Sequence, residues 1–212
     1  MRAIVLAGVL ISACVLTFSH SVEARVGISL GSGLALPTGS FNVGPAVGDA
    51  KFGPRMSLGI DVYLGERLSI GAFGTADFLG TGPKAVVPPP EWYLEYHPDA
   101  QPIAIKRYAV PIAGGVLKCF FGNTQQLNPY GKLWAGISAG SIETAKYTVV
   151  GGAGLAYGIG LGVMPRLSNH FRFSGDINYE LSKIDKNDSE ASSSRVSVGV
   201  ALNILIGRMS GL

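Results

Sequence analysis

The stretch 169–182, NHFRFSGDINYELS, limits what this chain can fold into more than any other. Phe171, Phe173, Ile177, Tyr179 and Leu181 are apolar at alternate positions, broken only by Gly175. Arg172, Ser174, Asp176, Asn178, Glu180 and Ser182 fill the positions between them. A period of two is the signature of a β-strand with one oily and one wet face. The run also has roughly the ~9–11 residues that a tilted strand needs to cross a bilayer.

The same alternation recurs along the chain and predicts eight strands, at 26–36, 54–64, 67–79, 105–121, 127–140, 149–163, 169–182 and 194–207. The fourth is read with Tyr108, Val110, Ile112 and Val116 facing out, and with a bulge at Pro111 or Gly114-Gly115. Between the strands, longer connections at 37–53, 80–104, 141–148 and 183–193 alternate with shorter ones at 65–66, 122–126 and 165–169. In an antiparallel barrel alternate connections share a rim, so this order predicts one rim of long loops and one of tight turns. Outer-membrane barrels have that asymmetry. The expected fold is all-β: an eight-stranded antiparallel up-and-down transmembrane β-barrel in the bacterial outer membrane.

Composition supports a membrane wall over a soluble one. Only 15% of the 212 residues are charged and 30 are glycine, and after the N-terminus no apolar run has the length of a membrane-spanning helix. A soluble eight-stranded barrel or sandwich would use the same alternation inside out. Its second face would then be rich in Lys and Glu, whereas here that face is mostly Gly, Ser and Ala with isolated charges.

Residues 1–24 read as a signal peptide: Arg2, then an apolar segment to Phe18, then Val22-Glu23-Ala24 as a small-residue cleavage site. A rival reading takes Ile11-Ser12-Ala13-Cys14 as a lipoprotein box with Cys14 lipidated. Cleavage after Ala24 leaves 25–212 as one barrel domain. It removes Arg2 and Glu23, so the net charge stays +3. No basic run suggests nucleic acid. Cys119 is then a single thiol, and no Cys/His cluster suggests a metal.

An eight-stranded barrel is just wide enough for side chains to fill it. Arg55, Asp61, Asp77, Arg107, Lys132, Arg172, Asp176, Glu180 and Arg195 fall on the inward parity, a nearly balanced set that predicts a lumen plugged by charge pairs. Tyr130 and Trp134 are expected to lie over the glycine row of the sixth strand. Tyr63, Phe78, Tyr108, Phe120, Phe121 and Tyr179 are expected to form the interfacial girdles. The second long loop offers Trp92, Tyr93 and Tyr96 as candidates for binding a surface ligand. Lys51, Lys84, Lys106, Lys146, Lys183 and Lys186 near the same rim could meet lipid phosphates. No motif calls for a cofactor, since the Gly-rich 151–162 lies in a strand and cannot cradle a phosphate at a helix start.

Gly33-Leu34-Ala35-Leu36-Pro37-Thr38-Gly39-Ser40-Phe41, with Gly59-Ile60-Asp61-Val62-Tyr63 and Leu68-Ser69-Ile70, resembles the small outer-membrane β-barrel proteins of Gram-negative bacteria. The similar group is that of the outer membrane protein β-barrel domain or opacity-like porins, with an OmpA-like transmembrane barrel. Ser197-x-Gly199-x-x-Leu202-x-Ile204 looks like the C-terminal signal by which such barrels meet the insertion machinery, although this chain ends at Leu212 rather than at an aromatic residue. The resemblance implies a protein of the cell envelope, in contact with outer-membrane lipid and lipopolysaccharide, of structural or interaction type.

The alternatives are a narrow porin-like channel for ions or small solutes and a lipid A-modifying barrel enzyme. The deacylases among such barrels pair a His with a Ser two residues away. Here His170 and Ser174 are four apart, about 13 Å along a strand, which is poor geometry for proton transfer. No catalytic residue is therefore assigned.

Overall fold

Alternation alone does not say whether a sheet stays open or closes. In the computed structural model, which describes residues 24–38, 50–82, 85–89, 91–121, 127–144, 148–186 and 189–206, it closes. The elements are β1 (Ala24–Pro37), β2 (Gly53–Leu64), β3 (Leu68–Leu79), β4 (Val86–Val87), α1 (Glu91–Tyr96), β5 (Ile103–Phe120), β6 (Leu127–Thr144), β7 (Thr148–Pro165), β8 (Phe171–Lys186) and β9 (Ser189–Ile206). The order β3-β2-β1-β9-β8-β7-β6-β5 is antiparallel throughout, and β3 pairs with β5 to shut the ring. Closure removes the sheet edges that a bilayer could not satisfy. The two-residue β4 is no part of the eight-stranded ring and pairs with the start of β5, through Val86↔Ala104 and Val87↔Ile103.

Large apolar side chains form the outer surface. Leu30, Leu58, Ile137, Leu161, Ile177 and Val198 are all exposed, with Leu161 67% open. A soluble domain does not leave a belt of this kind in water. Arg55, Asp61, Asp77, Glu180 and Arg195 are buried inside. Residues 1–23 lie outside the described residues, as do Lys84 and Lys146.

Strand β5 corrects the sequence reading. Tyr108, Val110, Ile112 and Val116 point into the lumen and are almost fully buried. Pro111 and Gly114-Gly115 pair without a break, and the irregularity falls between Ile105 and Arg107. The extra residue there, Lys106, puts two consecutive side chains on the outside, so Arg107 is exposed and is not a lumen charge. The misreading has a physical cause. The outward row Pro111, Ala113 and Gly115 is small, while the lumen at this height is apolar, so the usual contrast between faces is inverted.

The girdle expectation changes as well. Tyr63, Tyr108 and Phe120 are buried in the lumen, whereas Phe121 and Tyr179 are exposed outside. Two of the connections expected on the long-loop rim also shrink. Most of 141–148 belongs to β6 and β7, and most of 183–193 to β8 and β9. Residue Ile105 still pairs with Thr144, and Lys186 with Ser189. An 18-residue strand such as β6 is roughly 60 Å long, or about 42 Å high at a 45° tilt, against an apolar band of about 25 Å. The wall therefore stands well above the apolar belt on the β5–β9 flank and ends lower along β1–β3.

Candidate functional site

Period-two alternation brings the inward residues of eight strands to one axis, and the resulting lumen is layered. At the turn-side end, near the strand termini, Tyr63, Phe120, Tyr130, Met164 and Leu205 pack as a floor. The Tyr63 and Phe120 rings stack with centroids 6.0 Å apart, and Phe120 meets Tyr130 at 5.6 Å.

Charged pairs lie above this floor. Lys118 Nζ donates to Asp61 Oδ2 at 2.7 Å, and Lys132 Nζ is 2.9 Å from Asp176 Oδ2. Tyr130 donates its hydroxyl to the same Asp176 oxygen at 3.0 Å, which ties the floor to the layer above. Higher still is a quartet. Arg55 donates from Nε and Nη2 to both oxygens of Asp77, at 2.5 and 2.8 Å, and turns Nη1 and Nη2 towards Glu180. Arg195 Nη1 stands 3.2 Å from Asp77 Oδ2, and its Nε 3.7 Å from Glu180 Oε2. Ser197 donates to Glu180 Oε1 at 2.9 Å, and Ser182 accepts from Arg195 Nη2 at 3.0 Å. Two cations and two anions thus cancel in a fully buried cluster, which is what charges removed from water require.

At the loop-side end the lumen is apolar. Ala35, Leu79, Tyr108, Val110 and Ile142 pack together with Ala85 and Val87 from the β4 segment. A cavity of about 100 Å³ remains at mid-height, lined among others by Asp61, Lys118, Lys132, Asp176 and Glu180. A neighbouring one of about 70 Å³ is lined by Arg55, Thr75 and Asn178 among others. Asp61 Oδ1, Thr75 Oγ1 and Asn178 Oδ1 border this space without a protein hydrogen-bond partner, and the volume is sufficient for water to serve them.

The expected lumen charges fall into three groups. Arg55, Asp77, Glu180 and Arg195 form the quartet, while Asp61, Lys132 and Asp176 line the cavity. Arg172 lies towards the turn-side mouth, its guanidinium 5.8 Å over the Tyr63 ring. Arg107 is outside, paired with Glu143 and 5.7 Å from the centroid of Phe78. Sequence reasoning missed Lys118. It shares its parity with Val116 and Phe120, so the reversed phase of β5 hid it together with them.

The large rings of β6 explain two glycines of β7. Gly158 pairs with Trp134 and Gly162 with Tyr130. A Cβ on Gly158 would sit 2.6 Å from Trp134 Cε2, and one on Gly162 2.6 Å from Tyr130 Cζ. Each glycine therefore accommodates a ring lying flat on the neighbouring strand. Trp134 meets Phe73 edge-on at 5.3 Å across the lumen.

At the loop end, Tyr93 and Tyr96 of α1 are exposed, Tyr96 at 75%. The Tyr93 ring lies 4.5 Å from that of His97. His170 Nδ1 is 3.4 Å from the Leu205 carbonyl, whereas Ser174 points inward and donates to the Ala201 carbonyl at 3.4 Å. His170 is exposed at the turn before β8 and Ser174 is buried in the lumen, each held by a different carbonyl.

No protein-family model matches the sequence, and no curated protein matches it. Solved structures do resemble it. Neisserial surface protein A has a TM-score of 0.58 at 10% identity, over 85% of this chain and 96% of that one. The outer membrane protein OprG of Pseudomonas aeruginosa has a TM-score of 0.50 at 10% identity, over 90% of this chain and 99% of that one. At such identities the likeness is one of fold, and the fold is that of the small eight-stranded outer-membrane barrels.

Proposed function

We propose that this protein is an outer-membrane barrel of structural or interaction type, exported with the loss of residues 1–24, whose lumen does not conduct and whose loop-side end makes its contacts. The observation that carries the closed lumen is the Arg55–Asp77–Glu180–Arg195 quartet beneath the apolar cluster of Leu79, Tyr108, Val110 and Ile142. An ion moving along the axis would have to separate buried charge pairs and then cross an apolar layer, both of which are costly away from water. Planar-bilayer recording tests this directly. The expected trace is flat, and steady, reproducible current steps would establish the second reading, a narrow channel. The two mid-height cavities are what favour that reading.

Exposure of Tyr93 and Tyr96 supports a contact role for α1, because aromatic anchors carry much of the energy of interfaces; Trp92 belongs to the same segment. A surface ligand captured through them would lose binding in the Tyr93→Ala/Tyr96→Ala variant while the barrel stays folded. Lys51, Lys106 and Lys183 are exposed near that rim and suit the phosphates of lipopolysaccharide. Binding to the insertion machinery is proposed for the β9 segment from Ser197 to Ile204. No catalytic role is proposed. The exposure of His170 against the burial of Ser174, each bonded to a different carbonyl, is the observation against a lipid A-modifying pair, and an unchanged lipid A mass on expression is the expected result.

A further inference from the structure

The pairing of charges that runs through the lumen stops at its turn-side mouth. Arg25 stands opposite Tyr63 in the β1–β2 register, and the Arg172 guanidinium lies over the same ring. Arg166 faces Arg172 across an isolated antiparallel bridge. One phenol ring and one backbone bridge therefore gather three arginines. Lys118, Lys132, Arg55 and Arg195 each have a carboxylate within 4 Å, but among the described residues Arg25, Arg166 and Arg172 have none. Arg25 and Arg166 are the like charges that act on Arg172, and the Tyr63 phenol beneath its guanidinium is uncharged. Its Nε is buried without a hydrogen-bond partner, and Arg166 donates from Nη2 to Asn169 Oδ1 only.

We propose that Arg25, Arg166 and Arg172 form a binding site for a phosphate-type oxyanion at the turn-side mouth of the barrel. Three cations gathered with no carboxylate within 4 Å among the described residues repel one another, and an anion among them removes that cost. Guanidinium forks match tetrahedral oxyanions, which present several oxygens to several donors, better than a single carboxylate does. The floor of Tyr63, Phe120, Tyr130, Met164 and Leu205 closes the way upward, so the anion docks at the mouth and does not enter the lumen. A phosphate of this chemistry comes either from the headgroup of an anionic phospholipid in the adjoining leaflet or from free phosphate in the compartment.

The test uses the full chain folded in maltoside micelles, at an ionic strength fixed with chloride. Inorganic phosphate is titrated in one arm and short-chain phosphatidylglycerol in the other, with the backbone amide resonances of residues 166 to 172, present in every variant, as the readout. The expected result is saturable binding in at least one arm, weakened about tenfold or more in Arg172→Gln and in Arg25→Gln and unchanged in Arg107→Gln, whose arginine lies outside the barrel. Saturation by phosphate assigns the free anion, and saturation by phosphatidylglycerol alone assigns the lipid headgroup. Heat-modifiable gel migration checks that each variant is folded. A linear response in both arms, or folded Arg172→Gln and Arg25→Gln proteins that both bind like the wild type, would overturn the proposal.

Discussion

Arg195 Nη1 stands 3.2 Å from Asp77 Oδ2, an oxygen that also accepts from Arg55, so one buried carboxylate holds two guanidinium groups. Removing it leaves Glu180 as the single carboxylate facing two buried guanidinium groups. Asp77→Ala is expected to cost about 3–5 kcal/mol, the usual consequence of leaving a buried charge without its partner. Urea unfolding of the micelle-folded protein measures it, and a loss below about 1 kcal/mol would show that the quartet does not hold the wall together.

Arg107 offers the contrasting case. Its side chain is 52% exposed and that of Glu143 37%. An ion pair so open to solvent is screened and is worth about 0.2–1 kcal/mol. Arg107→Ala should therefore shift the unfolding midpoint only slightly, while Arg55→Ala lowers it severely. Equal effects would contradict the bulge at Lys106 that separates the two arginines into outside and inside.

That contrast also marks how far the sequence could be read. Wherever large aliphatics alternate with Gly, Ser or a charge, as along β1, β2, β7, β8 and β9, the parity of each face is visible, because a bilayer selects Leu30 or Leu161 and a crowded lumen selects Gly27 or Gly162. On β5 both faces lack that mark. Outside are Pro111, Ala113 and Gly115; inside are Val110, Ile112 and Val116. A bulge at one lysine then decides the phase, and nothing local to Lys106 announces it. For this reason alone Arg107 falls on the wrong side and Lys118 escapes notice. Hairpin height was hidden for a different reason: Ser and Thr at 141–148 and 189–194 suit a loop and a solvated strand equally well.

Gly158 supplies a packing test. Gly158→Val puts atoms where the Trp134 ring lies, and the resulting overpacking is expected to cost about 1–3 kcal/mol. Trp134→Leu in the same chain should recover part of that loss, and a double-mutant cycle on unfolding free energies reads the coupling. Additive effects would mean that ring and glycine are not in contact.

Ile159 tests the solvent of the outer face. It is 55% exposed in the middle of the apolar belt. Ile159→Arg is expected to destabilise the folded protein in vesicles by about 2–4 kcal/mol, the cost of arginine near a bilayer midplane. On a surface that faced water the same change would fall within about 0.5 kcal/mol of neutral.

The uneven height of the wall has a consequence for whatever meets this protein from outside. Over β6 to β9 a visitor encounters hydrogen-bonded ladder carried up beyond the belt, and only 145–147 and 187–188 separate the paired strands at the crests. Such a parapet is already in its bound shape, so recognition there forfeits little chain freedom. Over β1 to β3 the rampart is low, with strands of 14, 12 and 12 residues. One rim thus combines a stiff, tall flank with a low one whose β4 segment reaches down through Ala85 and Val87 to seal the cylinder beneath.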